Sequence, residues 1–232
     1  MPLWQVVRAS TAAPTYFEPE TIQIPDRKGA MSSYEFVDGG VSTFNNPAFQ
    51  LFLEATHANY RLGWQTGPDK LLLVSVGTGF SPNKIAQGGA ARQTLVGWAG
   101  YAIRALMDDA SLQQSVILQL IGQTPRPHHI DRELGTGLPD NPETAVLSPS
   151  LGSLKLFTYH RYTVSLTRER LTELGLPGID PEKVSALDAV NQAGNLQLIG
   201  KKIADEQVRV EDYAPFFKES STRSIHSAAT TD

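Results

Sequence analysis

Apolar residues fall in short blocks separated by glycine, proline and small polar residues, and the spacing inside each block predicts its element. Residues 4–9 are largely apolar and run into Ser10-Thr11-Ala12-Ala13-Pro14, which predicts a short helix or tight turn stopped by the proline. Ile22 and Ile24 alternate with polar neighbours, as in an edge strand, and a polar loop is expected over 26–33. Tyr34-Glu35-Phe36-Val37 reads as a strand that stops at Asp38-Gly39-Gly40. Asn45-Asn46-Pro47 offers an Asn cap and a first-turn proline to a helix whose apolar face is Phe49, Phe52 and Leu53. After a loop over 63–68, residues 71–76 (Leu-Leu-Leu-Val-Ser-Val) form a continuous apolar run ending at Gly77-Thr78-Gly79. Such a run predicts a strand buried on both faces, with helices on either side of its sheet.

The second half reads differently. Residues 92–121 carry a long helical pattern with Leu95, Ala99, Ile103, Leu106, Ala110 and Ile117 along one side. That broad apolar surface suits either an acyl-chain pocket or burial in the core. Residues 123–150 are rich in Pro, Gly, Asp and Asn and are expected to form a long loop. Residues 157–166 alternate like a strand, and 181–206 predict one or two amphipathic helices capped by Asp180. Beyond Lys218 the chain is Ser/Thr-rich, as in a frayed terminus. There is no internal repeat. Alternating strands and helices place the chain in the α/β class.

Composition narrows the chemistry. The 232 residues are 41% hydrophobic and 19% charged, which is globular composition. A net charge of -4 leaves no basic footprint for nucleic acid as the main partner. The sequence has no cysteine, which excludes disulfides, thiolate metal sites and a cysteine nucleophile. His128 and His129 are adjacent in a Pro-rich stretch, and a solvated loop accounts for them better than a metal site does. No basic and apolar leader opens the chain and no apolar run spans a membrane, so the expectation is a soluble protein, cytoplasmic rather than secreted.

Three segments carry the chemistry: Arg8-Ala9-Ser10-Thr11-Ala12-Ala13-Pro14-Thr15-Tyr16-Phe17, then Phe36-Val37-Asp38-Gly39-Gly40-Val41, then Asn45-Asn46-Pro47. A strand ending Ser75-Val76-Gly77-Thr78-Gly79 follows. Taken alone, Asp38-Gly39-Gly40 reads as a plain turn. As an ordered set, these segments resemble the second half of the patatin-like phospholipase domain. There, an A-S-x-A-A-P-x-Y-F segment precedes D-G-G, an N-N-P helix start follows, and a strand ending S-x-G-T-G comes next. The likeness is carried by residues 8–79, and less specifically by Tyr159-His160-Arg161-Tyr162-Thr163-Val164 and residues 171–176.

The resemblance implies a partial three-layer α/β/α sandwich of patatin type with an appended, mainly helical carboxy-terminal region. Residues 1–90 would be the carboxy-terminal part of the catalytic domain. Residues 91–218 would pack on it, and 219–232 would be a disordered tail. It implies hydrolysis of carboxylic esters in phospholipids or other acyl lipids, with no cofactor or metal and with peripheral contact to a membrane. Asp38 would be the general base of a serine–aspartate dyad, Gly39 and Gly40 shaping its turn. A carboxylate held within hydrogen-bond reach of a serine can take its proton without a histidine. Asn45-Asn46-Pro47 would only cap a helix, and Arg8 would form a surface or interface ion pair.

One part of the family pattern is missing. No G-x-S-x-G nucleophile elbow and no Gly-rich oxyanion segment occur in these residues; the nearest approach, Gly79-Phe80-Ser81-Pro82-Asn83, lacks the second glycine. Pro82 also breaks the G-x-G-x-x-G phosphate pattern, so Gly77-Thr78-Gly79 reads as a strand-to-loop turn. Three readings stay open. The chain is a fragment of a serine lipid hydrolase, inactive alone; it is a noncatalytic lipid-binding, storage or interaction module; or another of its serines serves Asp38.

Overall fold

The computed structural model describes residues 1–81, 89, 94–126, 155–186 and 188–217. It is a mixed α/β structure, about half helical over those residues, with two small two-stranded sheets. The long loop expected over 123–150, the His128-His129 pair, Pro82 and the tail beyond 218 lie mostly or wholly outside the described residues.

Helix α1 (Leu3–Ser10) ends four residues before Pro14. Strands β1 (Glu20–Pro25) and β2 (Met31–Phe36) form an antiparallel hairpin in which Ile22, buried, faces Tyr34. The loop expected over 26–33 is shorter than its polarity suggested. Asp26 Oδ1 accepts from Lys28 N at 2.7 Å and Ala30 N at 2.9 Å, which closes the turn and lets β2 begin at Met31.

Helix α2 (Ala48–Thr56) turns Ala48, Phe52 and Ala55 inward; of the predicted face, Phe52 is buried, while Phe49 and Leu53 pack partly buried at the edge of the core. Strand β3 (Leu72–Val76) runs parallel to β4 (Thr158–Tyr162), in register from Leu72 opposite Thr158 to Val76 opposite Tyr162. The pairing resumes past Gly79: Phe80 N donates to Val164 O at 2.9 Å and Leu166 N to Phe80 O at 2.7 Å. Gly77-Thr78-Gly79 therefore interrupts the strand without turning it away. Two apolar clusters flank this seam. One packs Phe52, Leu71, Leu73 and Leu118 with Phe157 and Tyr159. The other packs Val164 and Leu166 with α4 (Arg168–Glu173), α5 (Pro181–Val184) and α6 (Ala193–Gln207), through Leu171, Val184, Ile199 and Ile203. Asp180 caps α5 as expected, accepting from Glu182 N at 3.1 Å. The sequence reading missed α4, which Thr167 caps.

Two expectations fail for one reason. The 71–76 run is not buried on both faces. Leu71, Leu73 and Ser75 point into the α2–α3 layer, while Val76 on the other face is 77% exposed. The described residues thus show no three-layer sandwich. Likewise α3 (Leu95–Ile121) is not a core helix along its length. Its last turns bring Leu118 and Ile121 into the core, but Leu95 is 87% exposed and Ile103 and Leu106 are also exposed. Apolar composition records which surfaces favour burial; burial itself needs a second layer, and none covers these faces among the described residues.

Two glycines separate packing from propensity. A Cβ on Gly122, the C-cap of α3, would lie 2.6 Å from Leu118 O and 2.7 Å from Phe157 Cε2, whereas one on Gly200, within α6, would meet open space. Urea denaturation should show Gly122→Ala destabilised by about 1–3 kcal/mol and Gly200→Ala stabilised by about 0.5–1 kcal/mol.

Candidate functional site

Asp38 sits immediately past β2, where Asp38 N donates to Ala12 O at 3.0 Å. That bond ties the Ala12-Ala13-Pro14 segment to the Asp38 turn, so two of the three motif segments meet in space. Asp38 Oδ1 accepts from Gly40 N at 2.7 Å and caps a single 3-10 turn, Gly39–Val41. A Cβ on Gly40 would stand 3.1 Å from Asp38 Oδ1, and one on Gly39 would stand 3.2 Å from Phe44 Cβ. Gly40 therefore keeps space beside the carboxylate, and Gly39 keeps space for Phe44. Oδ2 has no hydrogen bond, and no serine hydroxyl donates to the carboxylate, among the described residues. One oxygen is thus fixed and the other is available to a proton donor. Asp38 is half-buried.

Among the described residues Arg8 forms no ion pair. Its Nη2 donates to Glu18 O at 2.8 Å, and the guanidinium lies over the Phe17 ring, 5.3 Å from the centroid. A planar cation with several donors can hold a main-chain carbonyl and an aromatic face together, and here it folds the Pro14-to-Glu18 turn back on α1.

Asn45-Asn46-Pro47 does more than start a helix. Asn45 Nδ2 reaches Met107 O at 3.3 Å, linking the segment to the middle of α3. Asn46 is 1% exposed. Its Oδ1 accepts from Ala48 N at 3.4 Å and from Ser75 Oγ at 3.3 Å; the N-cap position of α2 is Pro47, so the expected Asn cap and first-turn proline each fall one place outside the helix. Its Nδ2 donates to Ser115 Oγ at 3.4 Å. Arg161 Nη1 in turn donates to Ser75 Oγ at 2.6 Å. The start of α2, β3, α3 and β4 are thus joined by one buried polar cluster. The Tyr159 hydroxyl lies among Asn46, Ser75 and Ser115 without forming a well-aligned bond to any of them, and burial pushes its pKa up. Burial also lowers the pKa of Arg161 from its ordinary value. A Cβ on Gly77 would stand 2.8 Å from Thr163 Oγ1 and 2.9 Å from Arg161 Nη2, so a side chain here would displace the Thr163 hydroxyl or the guanidinium.

Sequence reasoning missed this cluster. Its signal was the polar Ser75 inside an otherwise apolar strand, since a polar side chain there needs a partner. No protein-family model and no curated protein matches this sequence.

Chemical denaturation can weigh the two polar centres. Asn46→Ala removes the buried amide that joins Ser75, Ser115 and the Ala48 main chain and should cost about 1–3 kcal/mol. Asp38→Asn keeps an acceptor for Gly40 N and should change stability by less than about 0.5 kcal/mol.

Proposed function

We propose that this chain is the carboxy-terminal part of a patatin-like lipid acyl hydrolase domain, with Asp38 as the general base of a serine–aspartate dyad. The observation that carries the reading is the ordered set of motif segments, in which Asp38 stands at a strand end beside two glycines. Three local features are compatible with it. The carboxylate is anchored through one oxygen and open at the other. The Ala12 carbonyl fixes its backbone. Gly40 puts no side chain beside the carboxylate.

In this mechanism a serine hydroxyl, supplied by sequence that these residues do not contain, gives its proton to Asp38 Oδ2 as its oxygen attacks the ester carbonyl. The leaving alcohol takes the proton back. Water, deprotonated by the same carboxylate, then hydrolyses the acyl-enzyme. The substrate class is phospholipid or another acyl lipid, met at a membrane surface; no helix among the described residues is long and apolar enough to cross one. The partial patatin-type sandwich belongs to this proposal.

A fluorophosphonate probe tests the reading in two steps. The chain alone should form no covalent serine adduct. In a longer polypeptide encoded in frame upstream, a G-x-S-x-G serine should label, and Asp38→Asn should lower ester hydrolysis by about 100-fold or more while leaving the fold intact. An adduct on the isolated chain would mean that one of its own serines serves Asp38. The absence of any upstream serine elbow would move the protein to the noncatalytic lipid-binding, storage or interaction reading.

A further inference from the structure

The second face of β4 is covered by a 3-10 helix, Val210–Phe216. Tyr213 stacks on His160, with ring centroids 5.1 Å apart and planes 23° apart. His160 lies nearly parallel to Tyr162, two residues along the same strand face, at 6.1 Å and 6°. The Tyr162 and Tyr213 hydroxyls share a hydrogen bond of 2.6 Å. Asp212 takes the Arg126 guanidinium at 2.6 Å and 3.3 Å. Elsewhere the segment is lightly held, with Val210 and Phe217 largely exposed. Its docking therefore depends on the ring stack, one hydroxyl pair and an ion pair exposed on its arginine side.

At the centre is a titratable ring. His160 is 3% exposed, and its Nε2 is buried with no hydrogen-bond partner. We propose that His160 is a proton-sensitive latch, whose protonation releases the Val210–Phe216 helix from β4 and uncovers the face formed by Thr158, His160 and Tyr162. The neutral ring can leave Nε2 as an unused acceptor. The protonated ring makes both nitrogens donors, and Nε2 then presents a charged N–H at a buried position where it makes no hydrogen bond. Undocking the helix brings water to that atom.

The groups facing the ring act in both directions. Burial disfavours the charged form most. The Asp212 carboxylate and a hydrogen bond to the Asp212 main chain favour it, and Arg126 opposes it. Tyr162 and Tyr213 are the titratable groups stacked on it, and burial raises the pKa of Tyr162. Strand β3 has no ionisable residue over Leu72–Val76, and α6 reaches this region through the Gln207 amide, which donates to Thr163 O at 3.3 Å.

The docked pKa of His160 lies below 6.5, and the undocked value is about 6.5. The docked state therefore binds fewer protons. Docking is fully favoured above the undocked value and weakens as pH falls through it, levelling off only below the docked value.

Amide exchange followed by mass spectrometry on the full chain tests this. At each pH the rate of a peptide covering 208–217 is divided by that of the H160F variant, so that the chemical pH dependence cancels. The ratio should rise by up to about tenfold between about pH 7.5 and about pH 5.5. A ratio constant within about twofold would overturn the latch. If H160F does not fold, H160Q replaces it. An NMR titration of the assigned His160 ring in the wild-type chain needs neither variant, and a value at or above 6.5 would equally overturn the proposal. The test is indifferent to whether the protein hydrolyses lipids.

Discussion

The parallel pairing of β3 with β4 is the constraint on which the rest of the described structure depends. The two strands lie more than 80 residues apart in sequence, yet they pair in register from Leu72 opposite Thr158 to Val76 opposite Tyr162, and Phe80 bridges to Ser165 beyond them. Parallel strands need a long crossover and pair slightly less strongly per residue than antiparallel ones. The seam must therefore be supported by what packs at its sides. Phe52, Leu118 and Phe157 support it at one end, and Leu166, Leu171 and Ile203 at the other.

Within that frame the polar cluster around Asn46 gives the packing a defined register. Apolar side chains alone would let α2 and α3 slide over β3. The Asn46 amide, 1% exposed, bonds both Ser75 and Ser115, and away from Ser115 its Nδ2 would be buried without a partner among the described residues. Arg161 completes the set from β4, its guanidinium passing close to Gly77, which carries no side chain. This cluster also places the chain just after the Asp38 turn against the sheet. Asn46 and Asn45 secure one side of that turn, and the bond from Asp38 N to Ala12 O secures the other. The carboxylate is thus positioned by backbone and amide contacts and needs no ion pair of its own.

The outer face of β3 and the first turns of α3 form the opposite limit. Val74, Val76, Leu95 and Leu106 are exposed although their pattern is that of buried elements. Such surface is unusual on a soluble monomer and favours association. The same one-sided burial leaves β4's second face to a short 3-10 helix, which is why a single histidine can matter there.

Much of this was legible in the sequence. The spacing of Phe49, Phe52 and Leu53 pointed to the side of α2 that packs on the core, with Phe52 at its centre, and Asp180 to the start of α5, because local periodicity and capping are determined within a few residues. The Asp38 turn was legible for the same reason: Asp38-Gly39-Gly40 carries its own cap and its own clearance. The residues that join distant segments were not legible. Nothing local to Asn46 told of Ser75 and Ser115, and nothing local to His160 told of Tyr213. The sequence by itself determined which stretches coil, which extend and which favour burial, since those preferences belong to each side chain and its near neighbours. Only the tertiary structure decided which apolar faces found a partner and which polar atoms met. Both depend on the long-range pairing of β3 with β4, a contact that no short window of sequence contains.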